Sequence, residues 1–101
     1  MIPYDVELEF TDSTREELRR LKNDKGLEKH YKAVQAALRK IQQNPRHPGL
    51  QAHQYYSLRG PNQEKIFEAY AEQHTPAAYR IFFYYGPGKG VITIFAISPH
   101  P

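Results

Sequence analysis

The chain has 101 residues, 40% hydrophobic and 25% charged, a balance that fits one globular domain spanning 1–101 and excludes a disordered chain. Its formal net charge is +3 and it has no cysteine, which excludes a disulfide framework or a thiolate metal site and fits a reducing cytoplasm. Met1 to Glu7 offers neither a basic nor an apolar leader segment, and no apolar run reaches the ~18 residues of a membrane span, so neither a signal peptide nor a membrane partner is expected.

Tyr4, Val6, Leu8 and Phe10 alternate with Asp5, Glu7 and Glu9, the period-two pattern of a half-buried strand with an acidic outer face. Ser13 with Glu16, or Thr14 with Glu17, has the capping-box spacing that opens a helix. Only Leu18 and Leu21 supply its apolar stripe, so this helix is expected to be short and superficial. Asn23-Asp24-Lys25-Gly26 breaks it. Leu27, Tyr31, Val34, Leu38 and Ile41 then form a continuous apolar face on a second helix that Asn44-Pro45 ends. Residues 15 to 46 carry ten Lys and Arg against four acids, a local net of +6, so the rest of the chain is net acidic. Such a surface attracts phosphate backbones or an acidic protein.

From Arg46 to Gly60 the reading is loop, with turns at Pro48-Gly49 and Gly60-Pro61 and a short strand around Tyr55, Tyr56 and Leu58. Lys65 to Ala71 reads as a strand, and Gln73-His74-Thr75-Pro76 as a turn. Tyr79 to Tyr85 and Val91 to Ile97, joined by Gly86-Pro87-Gly88-Lys89-Gly90, predict a β-hairpin. Alternation directs Tyr79, Ile81, Phe83 and Tyr85 toward the helices, leaving Arg80, Phe82 and Tyr84 on the open face. The order β-α-α-β-β-β predicts an α+β fold of two layers, a basic helical hairpin on one face of an antiparallel-type sheet of four to five strands.

A guanidinium held on a rigid sheet is suited to gripping phosphate, and an imidazole titrates near neutral pH. Arg80 and His100 are therefore the candidate cation and proton-transfer group, with pairing to Glu68 or Glu72 as the structural alternative for Arg80. His30, His47, His53 and His74 form no HxH or HExxH arrangement, so no metal is proposed. The 86–90 loop lacks Walker spacing, and no cofactor is expected.

Taken in order, several motifs resemble the RelE/ParE superfamily of type II toxin–antitoxin toxins, including its HigB-like members. They are the N-terminal strand with its basic helix pair, His47-Pro48-Gly49-Leu50 with His53, Ile66-Phe67-Glu68, Tyr79-Arg80-Ile81-Phe82-Phe83-Tyr84, and Val91 to Pro101. The resemblance implies a cytoplasmic toxin neutralised by a cognate antitoxin. RelE-like members are metal-independent endoribonucleases that cut mRNA on the ribosome, and ParE-like members inhibit DNA gyrase without nuclease activity. For the first activity Arg80 stabilises the phosphoryl group and His100 and Glu68 move protons, while Lys65, Arg59, Phe82 and Tyr84 bind substrate, with Tyr79 and Tyr85 as further stacking surfaces. The sequence departs from the best-known ribosome-dependent nuclease by carrying Ile66 and Glu68 where that enzyme has a lysine pair, and His100 in place of an arginine.

Overall fold

In the computed structural model, which describes residues 6–100, the alternation at the N-terminus becomes β1 (Glu7–Phe10); Tyr4 and Pro101 lie outside the described residues. Leu8 and Phe10 turn inward onto the core and Glu7 and Glu9 stay exposed, as the pattern requires. Helix α1 (Asp12–Asn23) follows directly. Its cap is Thr11 rather than Ser13 or Thr14: Thr11 is extended, and its hydroxyl accepts the Thr14 N–H at 3.3 Å. Thr14 lies inside the first turn, buried, and donates its own hydroxyl to the Ile94 carbonyl at 2.9 Å. Residues with cap chemistry thus sit at both positions, and both also dock the helix on β5, Thr11 through Phe95 and Ile94 and Thr14 through Ile94.

Asp24 stops α1 and accepts from Gly26 N–H at 2.9 Å, opening a short 3-10 turn at Lys25–Leu27. Helix α2 (Glu28–Gln43) buries Val34, Ala37, Leu38 and Ile41, with Tyr31 partly buried beside them, which is the predicted stripe. Asn44 ends it. A second 3-10 turn at Pro48–Leu50 drives Leu50 fully into the core. Beyond it, His53 to Arg59 form a seven-residue strand, β2, longer than the short strand expected within a loop. β3 (Lys65–Tyr70), β4 (Tyr79–Tyr85) and β5 (Val91–Pro99) complete the described elements.

The five strands run in the order β1-β5-β4-β3-β2. The four later strands are antiparallel to their neighbours, but β1 pairs parallel with β5, Glu7 opposite Val91 through Phe10 opposite Ile94, so the sheet is mixed. The two-layer α+β architecture stands as expected, and its five strands fall within the expected four to five.

Both helices cover a single sheet face. Tyr79, Ile81, Phe83, Ile92, Ile94, Ile97 and Ala69 meet Leu21, Val34, Leu38 and Ile41 in the main core. The opposite face holds a smaller cluster of Ile66, Phe82 and Tyr84, packed with Tyr55, Phe95 and Ala96. A register shift joins the two arrangements: Phe82 pairs with Ala96 but Phe83 pairs with Ile94, so Phe95 is an extra residue on β5. The bulge places Phe95 and Ala96, consecutive residues, against the same open-face cluster.

Phe83 is fully buried between the sheet and the helices and stacks on Phe67 with centroids 5.8 Å apart. Phe83→Ala is expected to cost about 3–5 kcal/mol, a large part of the about 5–15 kcal/mol that holds a typical domain. A urea titration followed by circular dichroism checks this, and an unchanged midpoint would contradict the packing. Thr14→Val removes the shorter of the two hydrogen bonds to the Ile94 carbonyl, leaving that from Thr11 N–H at 3.3 Å, and is expected to cost about 0.5–1.5 kcal/mol in the same assay.

Candidate functional site

β3 and β4 are in register with Glu68 opposite Phe82 and Tyr70 opposite Arg80, and β4 and β5 with Arg80 opposite Ser98. Directly paired residues share a face, so Glu68, Tyr70, Arg80 and Ser98 all stand on the face away from the helices. β2 adds His53, paired with Glu68. Three chain segments distant in sequence therefore bring an imidazole, a carboxylate and a guanidinium side by side.

The contacts among them are short. Arg80 Nη1 donates to Glu68 Oε2 at 2.7 Å, and His53 Nε2 lies 2.8 Å from Glu68 Oε1. Glu68 is buried, so each oxygen exchanges water for a charge-assisted partner, the condition under which a carboxylate is tolerated inside a protein. The Arg80 side chain is 14% exposed. Its guanidinium carbon lies 5.0 Å from the centre of the Phe82 ring, and its buried Nε–H has no hydrogen-bond partner. A buried donor without an acceptor is costly, by about 1–3 kcal/mol, and is characteristic of a group positioned for something other than stability. His53 is half-exposed, with Nδ1 2.9 Å from the Gln51 carbonyl and its ring 5.8 Å from that of Tyr70.

His100 follows β5, and its backbone N–H donates to the Ala78 carbonyl at 2.7 Å. That bond continues the register that pairs Arg80 with Ser98, so His100 sits one cross-strand step beyond Arg80. The His100 side chain borders an open cleft of about 480 Å³ together with Tyr70, Glu72, His74, Gln51 and Ala78. Tyr70 is the cross-strand partner of Arg80, so the cleft and the ion-paired cluster are contiguous.

The other candidates are distributed differently. Phe82 and Tyr84 do reach the open face, but they are only 4% and 7% exposed beneath Tyr55, Phe95 and Ile66. The bulge at Phe95 closes over them, so the aromatic surface left on this face belongs to Tyr55, Tyr70 and Phe95 itself rather than to the two rings expected to stack. Tyr79 is buried against the helices, while Tyr85 is exposed with its edge toward Phe67. Lys65 and Arg59 pair with each other at the far end of the β2–β3 hairpin. Strand alternation turns Lys65 away from Ile66 and Glu68, and at ~3.3 Å per residue it lies roughly 16 Å along β3 from Tyr70. They stand exposed there, apart from Arg80.

Glu72, the second acid considered for Arg80, is engaged elsewhere. It accepts from Tyr79 N–H at 2.9 Å and lies 2.8 Å from His30 Nδ1 on α2, pinning the β3–β4 connection to the helix layer. Nearby, Arg20 on α1 reaches the Tyr79 hydroxyl at 3.2 Å; its hydrogen bond and ion pair with Glu17, then the contact with Tyr79, raise it above the ordinary guanidinium range. His47 caps the Pro48–Leu50 turn by accepting from Gly49 N–H at 2.9 Å. Among the described residues no group of three or more His, Cys, Asp or Glu is arranged to hold a metal ion, and no helix is long and apolar enough to cross a membrane.

His53 is the neighbour of the Glu68–Arg80 cluster that the sequence did not single out as a site residue. Its signal was the two-residue step from His53 to Tyr55, which sets both on one face once the segment is recognised as a strand.

No family model matches the sequence, and no curated protein matches it either. Among solved structures, the archaeal RelE in the RelE–RelB complex from Pyrococcus horikoshii OT3 superposes with a TM-score of 0.60 over 97% of this chain and 96% of that one, at 16% sequence identity. The chain therefore has a RelE-like fold.

Proposed function

We propose that this chain is the toxin of a type II toxin–antitoxin pair, a cytoplasmic, metal-independent endoribonuclease that cuts mRNA on the ribosome and is restrained by a cognate antitoxin. The observation that carries the reading is the placement of Arg80 beside Glu68 on the open sheet face, one cross-strand step from His100, on a RelE-like fold.

Cleavage of RNA without a metal requires that the 2′-hydroxyl lose a proton as it attacks phosphorus. The P–O5′ bond breaks, and the departing oxygen must gain a proton. Arg80 is the cation for the crowded phosphoryl group, which it meets through the part of its guanidinium that stays exposed, 14% of the side chain. His100, exposed beside the cleft, moves the proton. Glu68 has each oxygen engaged and is buried, so its part is to position Arg80 rather than to act as the base. Lys65 and Arg59, at the far end of the β2–β3 hairpin and turned from the Arg80 face, have no part at the scissile phosphate, and the cations of α1 and α2 are those that meet ribosomal RNA. Tyr55 and Tyr70 offer the stacking surface that Phe82 and Tyr84 do not.

A second reading, a ParE-like inhibitor of DNA gyrase without nuclease activity, draws on the Arg80–Glu68 ion pair itself: a guanidinium neutralised at 2.7 Å is less available to a substrate phosphate. Induced expression separates the two. Under the nuclease reading, primer extension on a reporter transcript shows discrete cuts that vanish in Arg80→Ala, and His100→Ala slows cleavage by about 10²–10⁴-fold. An unchanged cleavage pattern in Arg80→Ala refutes the assignment. Intact mRNA with DNA-damage signalling, and growth arrest insensitive to His100→Ala, selects the gyrase reading.

A further inference from the structure

We infer that His53 is a proton-dependent positioning residue: as an imidazolium it ties the Gln51 carbonyl to the Glu68 carboxylate, and through Glu68 it sets the Arg80 guanidinium. The inference rests on the RNA-cleaving reading only for its effect on activity.

Both ring nitrogens of His53 face oxygens. Nδ1 is 2.9 Å from the Gln51 carbonyl, which can only accept, and Nε2 is 2.8 Å from Glu68 Oε1. Arg80 Nη1 donates to Glu68 Oε2 at 2.7 Å, so the carboxylate accepts on that side too. With Glu68 ionised, both contacts are hydrogen bonds only when both nitrogens carry protons. Either neutral tautomer leaves one nitrogen lone pair pointed at an oxygen lone pair. The charged and titratable groups that meet His53 are Glu68 and Tyr70 from β3 and, beyond Glu68, Arg80 from β4.

The two contacts do not resist loss of the proton equally. Glu68 is buried and ion-paired, so water cannot replace a donor withdrawn from it. Gln51 is exposed and holds a left-handed backbone, φ 48°, just after the Pro48–Leu50 turn. The neutral ring therefore keeps its donor on Glu68 and releases Gln51. Gln51 also borders the cleft that His100 lines. The proton on His53 thus couples the wall of that cleft to the carboxylate that orients Arg80.

Nuclear magnetic resonance of the full ¹⁵N-labelled chain, titrated from about pH 5.5 to about pH 8.5 across the usual imidazole range, tests this. The Gln51 amide resonance is expected to shift with the midpoint of the His53 ring nitrogens as its carbonyl is released, and the Arg80 Nε–H resonance with it, because the ring that keeps its donor on Glu68 loses its charge. In His53→Gln the carboxamide stands near the Nε2 position and keeps a donor on Glu68, so the Arg80 resonance is expected to stay put and not titrate. In His53→Ala the Arg80 resonance is displaced at every pH, and cleavage falls by about 10–100-fold, the usual effect of removing an outer partner of a functional group, while His53→Gln restores it. Arg80 and Gln51 resonances that ignore the state of His53, or a His53→Gln chain that titrates like the original, would overturn the inference. Cleavage at the original rate in His53→Ala would do so as well and leave the nuclease reading intact. Co-titration without any RNA cleavage would support the clamp and remove the nuclease reading.

Discussion

The pairing of β4 with β5, and above all the bulge at Phe95, is the constraint on which both faces of this protein depend. A regular ladder would send alternate residues of β5 to opposite faces along its whole length. The extra residue lets Ile92, Ile94 and Ile97 all reach the helix-covered core while Phe95 and Ala96 cap the smaller cluster on the other side. The core thereby gains an unbroken row of isoleucines. The open face gains a lid over Phe82 and Tyr84, and the His53–Glu68–Arg80 cluster lies beyond it at the other end of β4.

That arrangement explains why a charged cluster survives on a sheet. Arg80 has the Phe82 ring beneath it and the Glu68 carboxylate beside it, and Glu68 is itself held between two nitrogen donors. A buried carboxylate is costly unless its oxygens are engaged, and a buried ion pair is weak evidence for stability as such. Replacing the trio with apolar side chains would suit the packing as well or better. The unpartnered, buried Arg80 Nε–H adds a further cost that packing does not explain.

Much of this was legible in the amino-acid order, and the failures have physical causes. The apolar face of α2, the β4–β5 hairpin and the division of Tyr79 to Tyr84 between two faces follow from local periodicity, and each appears as read. β2 was underestimated because its pairing is irregular between Gln54 and Arg59 and its residues are largely polar, so alternation is faint. The parallel contact of β1 with β5 joins residues more than eighty positions apart, which no window along the chain can reveal. The same holds for the site. Arg80 stands out because it is the one cation in an aromatic strand, but its bond to Glu68, and that of Glu68 to His53, depend on strand register. Phe82 and Tyr84 were assigned to the correct face and the wrong depth, because the cover supplied by Phe95 follows from the bulge. In β5 itself the spacing Ile92, Ile94, Ile97 changes from two to three, a trace of that bulge in the sequence.

β1 lies at the edge of the sheet with β5 as its single neighbour, and the helix that follows it is fastened to the same strand through Thr14. β1 thus waits, unpaired, until β5 has been made. Closing so long a loop delays assembly and exposes the nascent hairpins to other partners. A lesion within β5 would accordingly unfasten both ends of the polypeptide at once, whereas one within β2, at the opposite margin, would leave the remaining ladder paired.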